Sequence, residues 1–342
     1  MPITRSRLAA TICAALLAAL CALCALAPAA QAKPTRADLR VVTGDGKTLV
    51  DVTQFTDTTK VPTSPRARCF FGGVGGSGQP ATVEGPTPLG AVADAARNRQ
   101  RLRPLLITDE FSFGLGVCGI GGANADDSHF WNVRVNHVAL QVGGDQFALD
   151  RGDQVLWSLV PNPVCEPTPP YTCQPGSPEL RVKAPARAEP GRPFAVRVFE
   201  WSDSGKRSAA VGATVTGAAA PTDAQGETIV ILTRTRKLSA RRGGAIASAE
   251  QAVCVAEPVT RCPRLRGRIL VGSGEGESIR GTRGGDRIKP GAGDDKVNGR
   301  GGADLIRARG GGRDRISCGP GKDTVVADRR DVLLGGCEIV RR

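Results

Sequence analysis

Apolar residues return at a fixed step between Gly281 and Val326, and nowhere else in the chain is the pattern so regular. Ile288, Val297, Ile306, Ile316 and Val325 each stand two places after an aspartate: Asp286, Asp295, Asp304, Asp314 and Asp323. Each aspartate stands two places after a glycine, at Gly284, Gly293, Gly302, Gly312 and Gly321, and the acids are spaced 9, 9, 10 and 9 residues apart. A step this short, with one apolar side chain and one glycine turn, predicts a stacked coil of very short strands in which each step buries one residue. Glu277, nine residues before Asp286, marks a degenerate first repeat, and Asp331-Val332-Leu333 closes the series. Two steps make one coil, so Asp286, Asp304 and Asp323 fall on one edge, and Glu277, Asp295 and Asp314 on the other.

Upstream, the apolar period changes to two. Leu39–Thr43 and Thr48–Val52 flank Gly44-Asp45-Gly46, a hairpin signal. Leu89, Val92, Ala93 and Ala96 mark one helical face behind a Thr87 cap and Pro88. Trp131, Val133 and Val135 alternate before an Asn136-His137 turn, Phe147 and Leu149 alternate next, and Val155 and Trp157 follow Gly152-Asp153. Leu180–Val182, Phe194–Val198, Ala213–Val215, Thr228–Leu232 and Ala252–Val255 read as strands of a further all-β part. Glycine (44) and proline (24) are abundant and aromatic residues are only 4%, which suits short strands and turns better than a helix bundle. The expected architecture is multidomain and mainly β. It comprises residues 33–160, a proline-rich linker at 161–179, a β-sandwich at 180–260 and a short parallel β-roll at 261–342.

The first 32 residues read as a secretory signal peptide: Arg5 and Arg7, an apolar run from Leu8 to Ala27, Pro28, and Ala30-Gln31-Ala32 before the cut. The expected location is therefore secreted or extracellular, in association with the cell surface, and no transmembrane anchor is predicted. Eight cysteines remain beyond the signal, an even set that reads as a disulfide framework in an exported chain. Sequence neighbours suggest Cys69–Cys118, Cys165–Cys173, Cys254–Cys262 and Cys318–Cys337, among about 105 arrangements that eight cysteines allow. None of these eight cysteines is part of a Cys-x-x-Cys, which argues against zinc.

The Gly-x-Asp-x-apolar steps resemble the calcium-binding nonapeptide repeats of RTX (hemolysin-type) proteins. That resemblance implies Ca2+ as a cofactor, with Asp286, Asp295, Asp304, Asp314 and Asp323 as metal ligands; stacking places Asp286, Asp295 and Asp304 ahead of Asp314 and Asp323, which lie beyond the ten-residue step. Residues 33–160, with their strand pair, Thr-Pro-Leu helix, Trp strand, Asn turn and Gly-Asp-x-Val-x-Trp strand, resemble the DUF4430 family, similar to the β-grasp C-terminal domain of transcobalamin. His137 stands where that family usually has glycine. The resemblance implies a small-ligand or corrinoid-like role, although Trp131 and Trp157 are placed as core residues. Thr222-Asp223-Ala224-Gln225-Gly226 before Glu227–Leu232 resembles the turn of bacterial Ig-like modules, which space or present other domains.

Charge and missing chemistry narrow the function. The formal net charge is +13, which favours an anionic partner such as cell-wall or surface polymers. No basic run is interleaved with aromatics, so nucleic acid is not expected. Arg287, Lys289, Lys296, Arg300, Arg307, Arg309, Arg313, Arg315 and Lys322 crowd the repeats and compete with a metal for the aspartates. Only two histidines occur, His129 and His137, without Gly-x-Ser-x-Gly or His-Glu-x-x-His, so no enzyme is expected. Asp126-Asp127-Ser128-His129 reads as surface, and Asp109 and Glu110, neighbours in an extended strand, would face opposite sides. The sequence thus predicts a non-catalytic binding or surface-interaction protein with calcium in its repeats. The alternative is a small-ligand carrier using its first domain.

Overall fold

The alternation at the start of the chain forms a hairpin from Thr35–Val42 and Thr48–Thr56, paired antiparallel with Leu39 opposite Val52. In the computed structural model, which describes residues 34–69, 73–165, 176–262 and 267–342, Ala37, Leu39 and Val41 are fully buried. Period two sends Asp38 and Arg40 to the opposite face of the same strand. The strand Gln154–Pro161 lies parallel to Thr35–Val42, and His129–Val135 lies antiparallel to Gln154–Pro161. One helix, Pro88–Asn98, covers the inner face; Thr87 Oγ1 accepts the Gly90 N–H at 3.0 Å and caps its start. Trp131 and Trp157 are buried in that core, and their indole N–H groups donate to Ala123 O at 3.2 Å and Pro88 O at 3.1 Å.

The coil does not stand apart. Ile269–Val271 pairs parallel with Thr48–Thr56, Thr53 against Leu270 and Gln54 against Val271. From there Arg287–Lys289, Leu305–Arg307, Thr324–Val326 and Ile339–Arg341 add in parallel, giving one ten-stranded sheet across both ends of the chain. A second, four-stranded parallel sheet faces it, made of Ser278–Arg280, Lys296–Asn298, Arg315–Ser317 and Val332–Gly335. Leu270, Ile279, Ile288, Val297, Ile306, Ile316 and Val325 fill the space between them, and Phe55 joins that cluster from the hairpin. The ten-residue step leaves the pairing intact: Ile288 meets Ile306 at an offset of 18, and Ile306 meets Val325 at 19. Its extra residue is accommodated at Gly310, which has φ 89° and open space where a side chain would stand.

The middle of the chain forms several small sheets around its own core of Leu180, Val196, Val198, Val215, Val230, Leu238 and Val253. Glu179–Lys183, Arg207–Ala209 and Glu227–Ile231 all pair antiparallel with Pro193–Trp201. Arg236–Leu238 pairs antiparallel with Gln251–Val255. Residues 34–342 make one compact unit. The architecture is mainly β.

Disulfides join Cys69 to Cys118, Cys254 to Cys262 and Cys318 to Cys337. Cys165 is also disulfide-bonded, while its expected partner Cys173 lies outside the described residues, as does the expected signal peptide. Such bonds are consistent with an oxidising, extracellular setting. Among the described residues no helix is long and apolar enough to cross a membrane.

Candidate functional site

The five repeat aspartates are each no more than 2% exposed, although four of them precede strands that point a cation into solvent. Burial follows from the step: the aspartate sits at the inner corner between turn and strand, and its side chain reaches along the stack. Asp304 Oδ1 accepts the backbone N–H of Asp286 at 2.7 Å, and Asp323 Oδ1 accepts that of Asp304 at 2.7 Å. On the other edge Asp295 accepts from Glu277 at 2.7 Å, Asp314 from Asp295 at 3.0 Å and Asp331 from Asp314 at 3.0 Å. Glu338 closes the first ladder by accepting from the Asp323 N–H at 2.7 Å. Each acid therefore stitches its own coil to the one before it.

That leaves the second oxygen. In Asp286 it accepts the Thr282 N–H at 2.6 Å, so both oxygens of this residue are engaged. In Asp295, Asp304, Asp314 and Asp323, and at Oε2 of Glu277, it is buried with no hydrogen-bond partner. Glycine is required beside these oxygens: a Cβ on Gly299 would come within 2.3 Å of Asp304 Oδ2, and one on Gly272 within 2.7 Å of Glu277 Oε2. Among the described residues none of the five aspartates is ion-paired, so the coil's arginines and lysines do not neutralise them. Desolvation, and after it the charge of neighbouring acids, pushes Asp295 up to about 8, Asp304 to about 7 and Asp314 to about 6, and raises Asp323 and Glu277 as well. An unpartnered buried carboxylate oxygen is a donor suited to a hard cation. Among the described residues no three acidic, histidine or cysteine side chains gather at one point, so backbone carbonyls would have to supply most of any coordination shell.

A second polar site lies where the three parts of the chain meet, on the outer face of the ten-stranded sheet. It is a cleft of about 360 Å³ whose walls include Asp38, Arg40, Asp51, Glu179, Arg181 and Arg268. Arg40 donates to Glu179 Oε1 at 2.6 Å and to Ala247 O at 2.9 Å. Glu179 Oε2 lies 2.8 Å from His137 Nδ1, and Arg181 donates to His137 Nε2 at 3.1 Å and to Gln154 Oε1 at 2.8 Å. A guanidinium only donates, so Nε2 accepts and the ring proton sits on Nδ1, directed at Glu179. Burial would raise Glu179, but the His137 hydrogen bond and the Arg40 charge outweigh it and hold the carboxyl below its ordinary value. The His137 ring also stacks on Trp201 with centroids 4.4 Å apart. His137 has φ 74°, a left-handed conformation that favours glycine, and these contacts are what hold a histidine there.

The remaining candidate chemistry is spent on loops. Asp126 Oδ1 accepts the N–H groups of Ser128 and His129, both at 2.8 Å, and the Ser128 hydroxyl at 2.7 Å; those bonds lower it to about 2. Asp109 accepts from Ser77 N–H at 2.7 Å, and Glu110 from Val74 and Gly75 N–H at 3.2 and 3.3 Å. The two acids expected to face opposite sides thus leave the strand together to hold one glycine-rich loop. No family model, curated protein or solved structure matches the chain.

Proposed function

We propose that this chain is a secreted, non-catalytic binding protein whose C-terminal coil is a β-roll of the RTX kind, loaded with calcium. The observation that carries the reading is the row of buried carboxylate oxygens without partners at Glu277, Asp295, Asp304, Asp314 and Asp323. Together with turn carbonyls these five residues would hold the metal. Calcium would neutralise charge that burial otherwise makes costly. Asp286 is demoted from the front rank, because Thr282 engages its second oxygen. The first part of the chain, with its helix laid on a mixed sheet, supports the β-grasp resemblance, and the small antiparallel sheets at 180–260 support an Ig-like spacer. The carrier alternative gains nothing from Trp131 and Trp157, which are 7% and 3% exposed and packed in the core.

The test is thermal unfolding of the full secreted chain with chelator and with about 10 mM calcium. Extracellular calcium modules bind with Kd around 10⁻⁴–10⁻³ M. Mass action then gives about 1.4–2.7 kcal/mol per site and a higher Tm. Asp304→Asn keeps the Oδ1 acceptor but replaces the unpartnered oxygen with an amide. It should match or exceed the wild type in chelator and lose part of the calcium response. An unchanged wild-type Tm at that calcium concentration removes the metal from this reading.

A further inference from the structure

The four-stranded sheet of the coil presents an outer face that the calcium reading leaves unused. Pairing aligns Ser278 with Lys296 and Lys296 with Arg315, and Arg280 with Asn298 and Asn298 with Ser317. Ile279, Val297 and Ile316 between them point inward and are buried, so the flanking six point outward; Arg280, Lys296 and Arg315 are exposed. Among the described residues none of these three cations is in an ion pair. The acids that precede the strands, Glu277, Asp295 and Asp314, are turned inside. Exposed Arg283 and Arg300 extend the positive charge on the trailing side. Exposed Glu275 and Asp294 lie on the leading side, where Asp294 Oδ1 accepts the Arg313 N–H at 2.7 Å.

Parallel strands stand about 4.8 Å apart, so this face is a flat ladder of cations alternating with hydroxyl and amide donors. Asn298 Oδ1 accepts the Arg300 N–H at 3.0 Å, which leaves its NH2 as a donor. We propose that the Ser278–Arg280, Lys296–Asn298 and Arg315–Ser317 face is a docking surface for a linear phosphodiester polymer of the cell envelope. Every outward polar group there can donate, and phosphate oxygens only accept. A repeating anion meets a repeating cation at each strand, and binding releases the polymer's counterions. The face carries no aromatic residue, so it lacks the stacking platform that single-stranded nucleic acid uses. The proposal rests on the reading of the chain as a binding protein, but not on the metal.

The experiment uses the full chain and fluorescently labelled poly(glycerol phosphate), with anisotropy followed over a salt series. A Lys296→Gln/Arg315→Gln variant should bind about tenfold more weakly. The slope of log K against log salt should flatten by about 1.4, because each phosphate neutralised on a single-stranded polyanion contributes about 0.7. Lys206→Gln/Arg234→Gln removes the same charge from exposed positions in the middle of the chain and should stay within about twofold of the wild type. Equal losses in both variants, or no loss in the first, would overturn the assignment. Tighter binding of duplex DNA than of poly(glycerol phosphate) at equal phosphate concentration would overturn the partner. The calcium response of the Lys296/Arg315 variant is read separately as Tm, so failure of the metal and failure of the face are told apart.

Discussion

The two ends of the ten-stranded sheet share one hydrogen-bonded ladder but solve burial in different ways. Toward the N-terminus a helix closes the face, and the acid buried beneath it is satisfied. Asp94, 2% exposed, accepts from Thr56 at 2.9 Å, Thr59 at 3.0 Å and Arg97 at 2.9 Å. In the coil a second sheet closes the face, and five acids each leave one oxygen without a partner. The difference lies in what surrounds the carboxylate. A helix and a hairpin bring side chains from distant positions, whereas in a coil of nine-residue steps the acids meet their neighbours' backbone, with a local hydroxyl added at Asp286 and Glu277. A repeat can satisfy one oxygen per acid through stacking, and the other is left for something added.

Breaking the satisfied end should cost most. Glu179→Ala leaves Arg40 buried without its carboxylate, and loss of one partner from a buried pair costs about 3–5 kcal/mol. A denaturant titration should show it as a lower midpoint at unchanged slope, with or without calcium. Replacing Cys318 and Cys337 by serine opens a loop of sequence separation 19 and should cost about 3 kcal/mol. That loss should fall mainly on the coil, read as faster amide exchange in Arg315–Ser317 and Thr324–Val326 than in Thr35–Val42. The last effect concerns pH. In chelator, Asp314, Asp304 and Asp295 titrate near 6, 7 and 8 in the folded chain, above their ordinary 3.8, and Asp94 beneath the sheet's other end adds a calcium-independent share near 6. Between about pH 4 and 8 the folded state then holds more protons than the unfolded one, so stability falls as pH rises. Calcium should flatten that slope; a slope of opposite sign in chelator would show that these carboxylates are not desolvated.

The join between the two ends changes how the coil should be studied. Ile269–Val271 pairs with Thr48–Thr56, and Phe55 packs into the coil's core, so a fragment beginning after Cys262 would lack its first supporting strand. Gln54 sits at this seam, fully buried, donating to Phe55 O at 2.6 Å and Gly272 O at 3.2 Å. A polar residue at that point reads in sequence as an ordinary strand position. Nothing in it announces a partner more than 200 residues away.

Much of the coil was legible because its physics is local. The Asp-x-Ile step, the glycine before it and the two acid edges follow from a period of nine, since each coil contacts only the next. The hairpin, the Thr87 cap and the core positions of Trp131 and Trp157 were legible for the same reason: turn chemistry and alternation act over a few residues. The tertiary structure alone decided the rest. Folding placed Arg40 against Glu179, 139 positions apart, and set His137 in a glycine's conformation to reach them. It kept the arginines of the coil away from the aspartates beside them in sequence, because strand geometry sends consecutive side chains to opposite faces. Period and turn chemistry fix the path of the backbone over short distances, whereas a buried charge is satisfied or orphaned by whatever the finished packing brings within 3 Å.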